Sequence, residues 1–191
     1  MPIDAGRRSA LPYRAVASLL LAIGCRGTGV PVPGGPSPAR LTDERIAGIA
    51  LLVNNIELGY SVLGVERAVD RDVRAYALRM RTDHASLNAT LASIIERLGI
   101  VARDDFHGDA LRDSAVVRRE RLQSAGARGF DVAFVDAELR SHRELLGVAR
   151  ALRTDARHPA LRDYLEALGP VLAAHVAHAE QLGSALSARG R

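Results

Sequence analysis

Three histidines and one glutamate stand at positions that an inward-facing side chain of a packed helix would occupy. His84, His142, His175 and Glu57 each share a face with apolar residues three, four or seven positions away. Residues at such spacings lie on one side of a helix. Three imidazoles and a carboxylate could ligate a transition-metal ion such as Zn²⁺, Cu²⁺ or Fe²⁺.

These four side chains are expected at similar heights. Glu57 precedes the turn near residue 68 by about 10 residues and His84 follows it by about 15, an offset of roughly 7 Å. His142 and His175 are placed similarly about their own connecting loop. The alternative is a structural polar network, because one inward-facing histidine needs no metal. Both interpretations stay open at this point.

The elements that must position these residues are helices. Apolar periodicity predicts them over residues 43–67, 70–99, 109–125, 130–152 and from 159 to about 186. Thr42-Asp43 is an N-cap signal, Gly99 a stop signal, and Pro170 should kink the last helix. Since the apolar stripe is shared among four long segments, the fold class is all-α: an antiparallel four-helix bundle, with an extra short helix before the third bundle helix.

Composition supports a globular domain and excludes several classes. The 191 residues are 48% hydrophobic and 25% charged, which excludes a disordered chain and a multi-span membrane protein. Aromatic residues make up only 4%, which suits packed helices better than a β-sandwich. No basic block is interleaved with aromatic residues, so no nucleic-acid partner is expected.

The N-terminal segment is typical of an export signal. Arg7, Arg8 and Arg14 precede an apolar run of about 10 residues that is too short to span a bilayer. Cys25 closes this run as in a bacterial lipobox. We therefore expect a signal peptide over residues 1–24, a lipidated Cys25, a Pro/Gly-rich tether over 25–40 and a bundle domain over 41–189. A plain signal peptide with an incidental cysteine is the alternative.

The expected location is the envelope, facing the periplasm and attached to the membrane by a lipid anchor. Arg26, and not an aspartate, follows the cysteine, which in enteric lipoproteins implies the outer membrane. The chain has no Gly-x-Ser-x-Gly, phosphate-loop, dinucleotide or His-Glu-x-x-His motif. We expect a non-enzymatic structural or stress-related lipoprotein, with a metal-binding or redox bundle as the alternative.

Several short segments resemble an exported bacterial family, the domain of unknown function 4142, often described as a putative outer membrane protein. The segments are 54–59, 73–77, 80–84, 129–134 with His142, and 168–170 with His175. The resemblance implies a ferritin-like helical bundle in the periplasm or on the outer membrane. It also implies that the family's characteristic Glu, three His and Asp fall on Glu57, His84, His142, His175 and Asp131. We expect structural polar roles for Asp131 and Asp83.

Overall fold

Five helices contain nearly all the residues that the computed structural model describes, residues 40–103 and 106–189. They are α1 (Asp43–Arg67), α2 (Arg71–Leu98), α3 (Phe106–Ser124), α4 (Ala127–Asp155) and α5 (Pro159–Arg189). No strand occurs in these two ranges, so the all-α prediction is confirmed. The predicted signal peptide, Cys25 and nearly all of the predicted tether lie outside the described residues.

Local capping chemistry sets the limits of α2. The Asp70 carboxylate accepts hydrogen bonds from the backbone N–H groups of Asp72 and Val73, which have no partner within the helix. At the other end, Gly99 adopts a left-handed conformation with φ 61°, which a residue with a side chain adopts only at a cost. The predicted start and stop of this helix are therefore confirmed.

The predicted limits of the later helices need correction. Helix α4 begins at Ala127, with Gly126 as its N-cap, and Gly129 lies inside its first turn. Phe130 and Phe134 are fully buried in this part of α4, and their packing outweighs the weak helix propensity of glycine. Helix α3 begins three residues earlier than predicted, and the helical residues of α5 continue on both sides of Pro170.

The helices pack in two pairs around a shared core. Helix α1 packs along α2, α4 packs along α5, and α2 contacts α5, while α3 lies against α1 and α4. Helix α1 alone is long and apolar enough to be a candidate membrane span among the described residues. Half of its most apolar window is buried inside the bundle, as in the core helix of a globular domain.

The core consists of two apolar clusters with polar residues between them. One cluster contains Ile46, Leu91 and Leu161. The other contains Tyr76 and Phe134. Along each of the four long helices, most of the buried polar residues fall between the segments that supply these clusters, whereas Ser61 and Asp131 lie within the second cluster's segments. The packing thus holds most of the buried polar side chains in one internal layer.

Gly64 allows α1 to approach α2 and α4 closely. A Cβ atom at this position would lie 2.5 Å from Cζ of Phe134 and 2.7 Å from Cβ of Ala77. We predict that Gly64→Ala destabilises the domain, because overpacking costs about 1–3 kcal/mol and the better helix propensity of alanine offsets only about 1 kcal/mol. Urea denaturation measures this change. The control is Gly147→Ala on α4, where the added methyl meets nothing within 4 Å and should not destabilise.

Candidate metal centre

Three imidazoles from three helices meet in the polar layer. His84 of α2, His142 of α4 and His175 of α5 are each at most 2% exposed. Their ring centroids are 5.0–5.6 Å apart. One nitrogen of each ring lies within 4.8 Å of one nitrogen of each of the others. The three histidines that the helical periodicity placed on inner faces thus come together.

Each imidazole uses one ring nitrogen to contact a hydrogen-bond acceptor outside the group. Nδ1 of His84 lies 3.0 Å from Oδ1 of Asn54, and Nδ1 of His142 lies 3.0 Å from the backbone oxygen of Glu138. Nε2 of His175 lies 2.9 Å from a carboxylate oxygen of Asp83. These oxygens accept hydrogen bonds, so the contacting nitrogens carry the N–H groups.

The remaining nitrogen of each ring is therefore a lone-pair acceptor. Nε2 of His84 and Nε2 of His142 face each other at 3.4 Å. Nδ1 of His175 is buried and has no hydrogen-bond partner among the described residues. Two imidazole nitrogens bound to one tetrahedral Zn²⁺ would be about 3.3–3.4 Å apart, given metal–nitrogen bonds of about 2.0–2.1 Å. The arrangement can accept a cation at this point.

The acceptors are themselves held in place. Asp83 accepts a second hydrogen bond, from Nε of Arg79 at 2.9 Å, and it is the partly exposed member of the cluster. Asn54 donates from Nδ2 to the Tyr164 hydroxyl at 2.9 Å. Fixed outer partners of this kind set the tautomer and direction of metal-binding histidines. Asp83 thus lies beside the centre and positions His175.

Glu57 lies in the same layer but belongs to a second group. Its Oε1 accepts hydrogen bonds from Nη2 of Arg118 at 3.2 Å and from Oγ of Ser141 at 2.9 Å. Its carboxylate lies close to Glu138 and to one nitrogen of His142, whereas it is outside the group of three imidazoles. The predicted layer of four ligands is therefore divided into two groups that share His142.

Burial and neighbouring charges give these groups unusual pKa values. Burial lowers the pKa of His84 to about 4, so its imidazole is neutral at pH 7. Burial acts to raise the pKa of Glu57, but the Arg118 guanidinium, the imidazoles of His142 and His84 and a hydrogen bond with Glu138 together outweigh it and lower that pKa to about 2. Burial and the Glu57 charge together raise the pKa of Glu138 well above its usual range. The two carboxyl groups therefore share one proton at neutral pH.

Asp131 lies away from these groups. Its carboxylate accepts hydrogen bonds from the backbone N–H groups of Val69 and Asp70, at 3.1 and 2.8 Å. These donors belong to the turn between α1 and α2, and Asp131 lies near the start of α4. It therefore ties that turn to α4, as a structural polar residue does.

Several residues of the layer were not predicted. Glu138 precedes His142 by four positions, so helical spacing could have placed both on one face. Asn54 precedes Glu57 by three positions and carries the same signal. Arg118 belongs to a helix with many arginines, and no pattern in the sequence distinguishes it as the one that reaches Glu57.

Comparisons with known proteins establish the family. The model of the domain of unknown function 4142 matches residues 30–182. The chain belongs to this family. The solved structure of a DUF305 fragment from Deinococcus radiodurans is similar to this family member with a TM-score of 0.65 and 14% sequence identity. The match covers 77% of this chain and 99% of that chain, and at this identity it shows a shared fold. No curated protein matches this family member.

We predict that metal-free protein loses stability as the pH falls from about 6.5 to 4. The pKa of His84 is about 4 in the folded chain, against an ordinary 6.5, so the unfolded chain takes up its proton first and protonation favours unfolding. The difference corresponds to about 3 kcal/mol. Urea denaturation across this interval should show a steeper decline in unfolding free energy for the wild type than for His84→Gln.

The opposite contribution of Glu138 is present in both proteins and cancels from this comparison. Its folded pKa is raised, so its neutral form contributes stability that declines as the pH rises above the unfolded value. Parallel pH profiles for the wild type and His84→Gln would contradict the assignment of a buried neutral imidazole at position 84.

Proposed function

We propose that this domain binds a divalent transition-metal ion through His84, His142 and His175. The observation that carries the proposal is that three clustered imidazoles each contact an acceptor with one ring nitrogen, which leaves the other nitrogen of each ring as a buried lone-pair acceptor. Neutral imidazole nitrogens suit Zn²⁺, Cu²⁺ and Fe²⁺. A cation among them would satisfy all three lone pairs at once.

A purely structural network explains the same contacts less well. Nε2 of His84 and Nε2 of His142 cannot form a hydrogen bond at 3.4 Å when both are acceptors. A second proton on either ring would supply the missing donor. The lowered pKa values of both His84 and His142 disfavour that proton at neutral pH. A bound ion needs no such protonation.

Full-length protein freed of metal with a chelator should bind one Co²⁺ or Zn²⁺ ion at this group. We predict that His84→Gln, His142→Gln and His175→Gln each weaken binding by more than the roughly 10–100-fold loss seen for an outer-shell substitution. Calorimetric titration and the visible Co²⁺ spectrum measure this. The matched control is His158→Gln at the start of α5, which lies outside the polar layer and should bind as the wild type does.

Equal affinity in the wild type and the three variants would contradict this proposal. Circular dichroism of each variant shows whether it has folded, so a loss of binding through unfolding is recognised. Folded wild-type protein that binds no transition metal would instead favour a structural polar network in this layer.

The proposed helix arrangement is an antiparallel, ferritin-like four-helix bundle, with α3 as the extra helix. Its support comes from the two apolar clusters. The first half of α1 shares one cluster with the last third of α2, and the second half of α1 shares the other cluster with the first third of α2. In the same way, the end of α4 shares a cluster with the start of α5, and the start of α4 shares the other cluster with the end of α5. Antiparallel neighbours pack in this manner.

The proposed role is that of a non-enzymatic, envelope-anchored lipoprotein, structural or stress-related, which holds its ion in the periplasm. The three imidazoles are almost completely buried, which favours holding an ion over converting a substrate, since catalytic metal sites keep an accessible open position. The anchor rests on Cys25 and the preceding apolar run. The two acyl chains of a diacylglycerol on that cysteine would give stable attachment.

The Cys25→Ser variant tests membrane anchoring separately from folding. We predict that the variant keeps the helical content of the wild type, since the bundle begins at Asp43, but moves to the soluble fraction or stalls in processing. Fractionation of the producing cells, with circular dichroism of the purified protein, measures both outcomes. A Cys25→Ser chain that is still cleaved and stays in the membrane pellet would contradict lipidation.

A further inference from the structure

We infer that the carboxylates of Glu57 and Glu138 form a second cation position beside His142, which prefers a harder ion such as Mn²⁺. One carboxylate oxygen from each glutamate and one ring nitrogen of His142 lie within 4.8 Å of one another. All three residues are at most 1% exposed. This position goes beyond the three-imidazole group and adjoins it at His142.

The unpartnered oxygens of the two glutamates point to a missing cation. Arg118 and Ser141 both donate to Oε1 of Glu57. Oε2 of Glu57 and both carboxylate oxygens of Glu138 are buried and have no hydrogen-bond partner among the residues that the structure describes. A buried polar group without a partner costs about 1–3 kcal/mol. Three such oxygens in one place are unusual in a folded protein.

A shared proton satisfies only part of this need. One proton between the carboxyl groups occupies one oxygen and is accepted by another, which leaves the third oxygen without a donor. A divalent cation between Glu57 and Glu138 can contact all three oxygens. The ligands are carboxylate oxygens, since Nδ1 of His142 carries the N–H group that points toward Glu138, and oxygen ligands suit Mn²⁺ better than the softer metals do.

Charge and access also support this position. With both carboxylates ionised, Arg118 balances only one of the two negative charges, so the pair attracts a cation. A cavity of about 230 Å³ between α1, α3 and α4 is lined by Glu57, Arg118 and Ser141 among other residues. An ion can therefore approach Glu57 from the side of α3, whereas none of the three imidazoles lines this cavity.

The test adds full-length protein to Mn²⁺ with no other metal present. Electron paramagnetic resonance measures how much Mn²⁺ stays free. We expect the wild type and His84→Gln to bind one Mn²⁺, since His84 belongs only to the three-imidazole group. Glu138→Gln should weaken Mn²⁺ binding by more than the roughly 10–100-fold of an outer-shell substitution, while Co²⁺ still binds the imidazoles. The control is Glu180→Gln on α5, whose carboxylate pairs with Arg143 on the surface, and which should bind Mn²⁺ as the wild type does.

The two proposals fail in different ways. Wild-type protein that binds no Mn²⁺ would overturn the second position and would show that the carboxyl pair holds only a proton. Mn²⁺ binding that is lost in His84→Gln but kept in Glu138→Gln would place the ion at the imidazoles. That result would also overturn the second position. Loss of Co²⁺ binding in His84→Gln with Mn²⁺ binding kept would support both positions independently.

Discussion

The cost of burying polar groups in an apolar core is the constraint on which the rest of this structure depends. Two apolar clusters, one toward each end of the four long helices, enclose the polar layer. Inside it, each donor and acceptor needs a partner or costs free energy. The outer contacts of the imidazoles and the pairing of Glu57 with Arg118 meet most of this need. What they leave unmet, beyond the one proton that the carboxyl pair shares, is a set of acceptors, and acceptors without donors are groups that a cation can satisfy.

Helix α3 has a specific part in this balance. It is the most polar of the helices, yet it supplies Arg118, whose guanidinium lies over the Tyr60 ring at 3.9 Å and pairs with the buried Glu57. Removing one member of a buried ion pair typically costs about 3–5 kcal/mol, because the other charge is left without compensation. The Tyr60 hydroxyl also donates to the backbone oxygen of Ala115. The extra helix therefore completes the polar layer as well as covering α1 and α4.

Much of the fold follows from local sequence signals. The division of the polar layer into two groups does not follow from them. The limits of α2 are set by the chain-local groups Asp70 and Gly99, so they could be predicted. The meeting of three histidines followed from periodicity and rise per residue, which act along single helices. The separation of Glu57 from the imidazoles depends on side-chain direction across the bundle. A search for Glu-x-x-His pairs also misses Glu138, which precedes His142 by four positions.

His142 links the two groups through the opposite nitrogens of one ring. Its Nε2 faces His84 at 3.4 Å, and its Nδ1 lies 3.0 Å from the backbone oxygen of Glu138 and 3.6 Å from Oε2 of the same residue. An ion on the Nε2 side draws electron density from the ring and strengthens the Nδ1–H donor toward Glu138. A second ion on the carboxylate side adds positive charge to the same low-dielectric region, where repulsion is weakly screened. Ions at both proposed positions would therefore repel each other across the His142 ring.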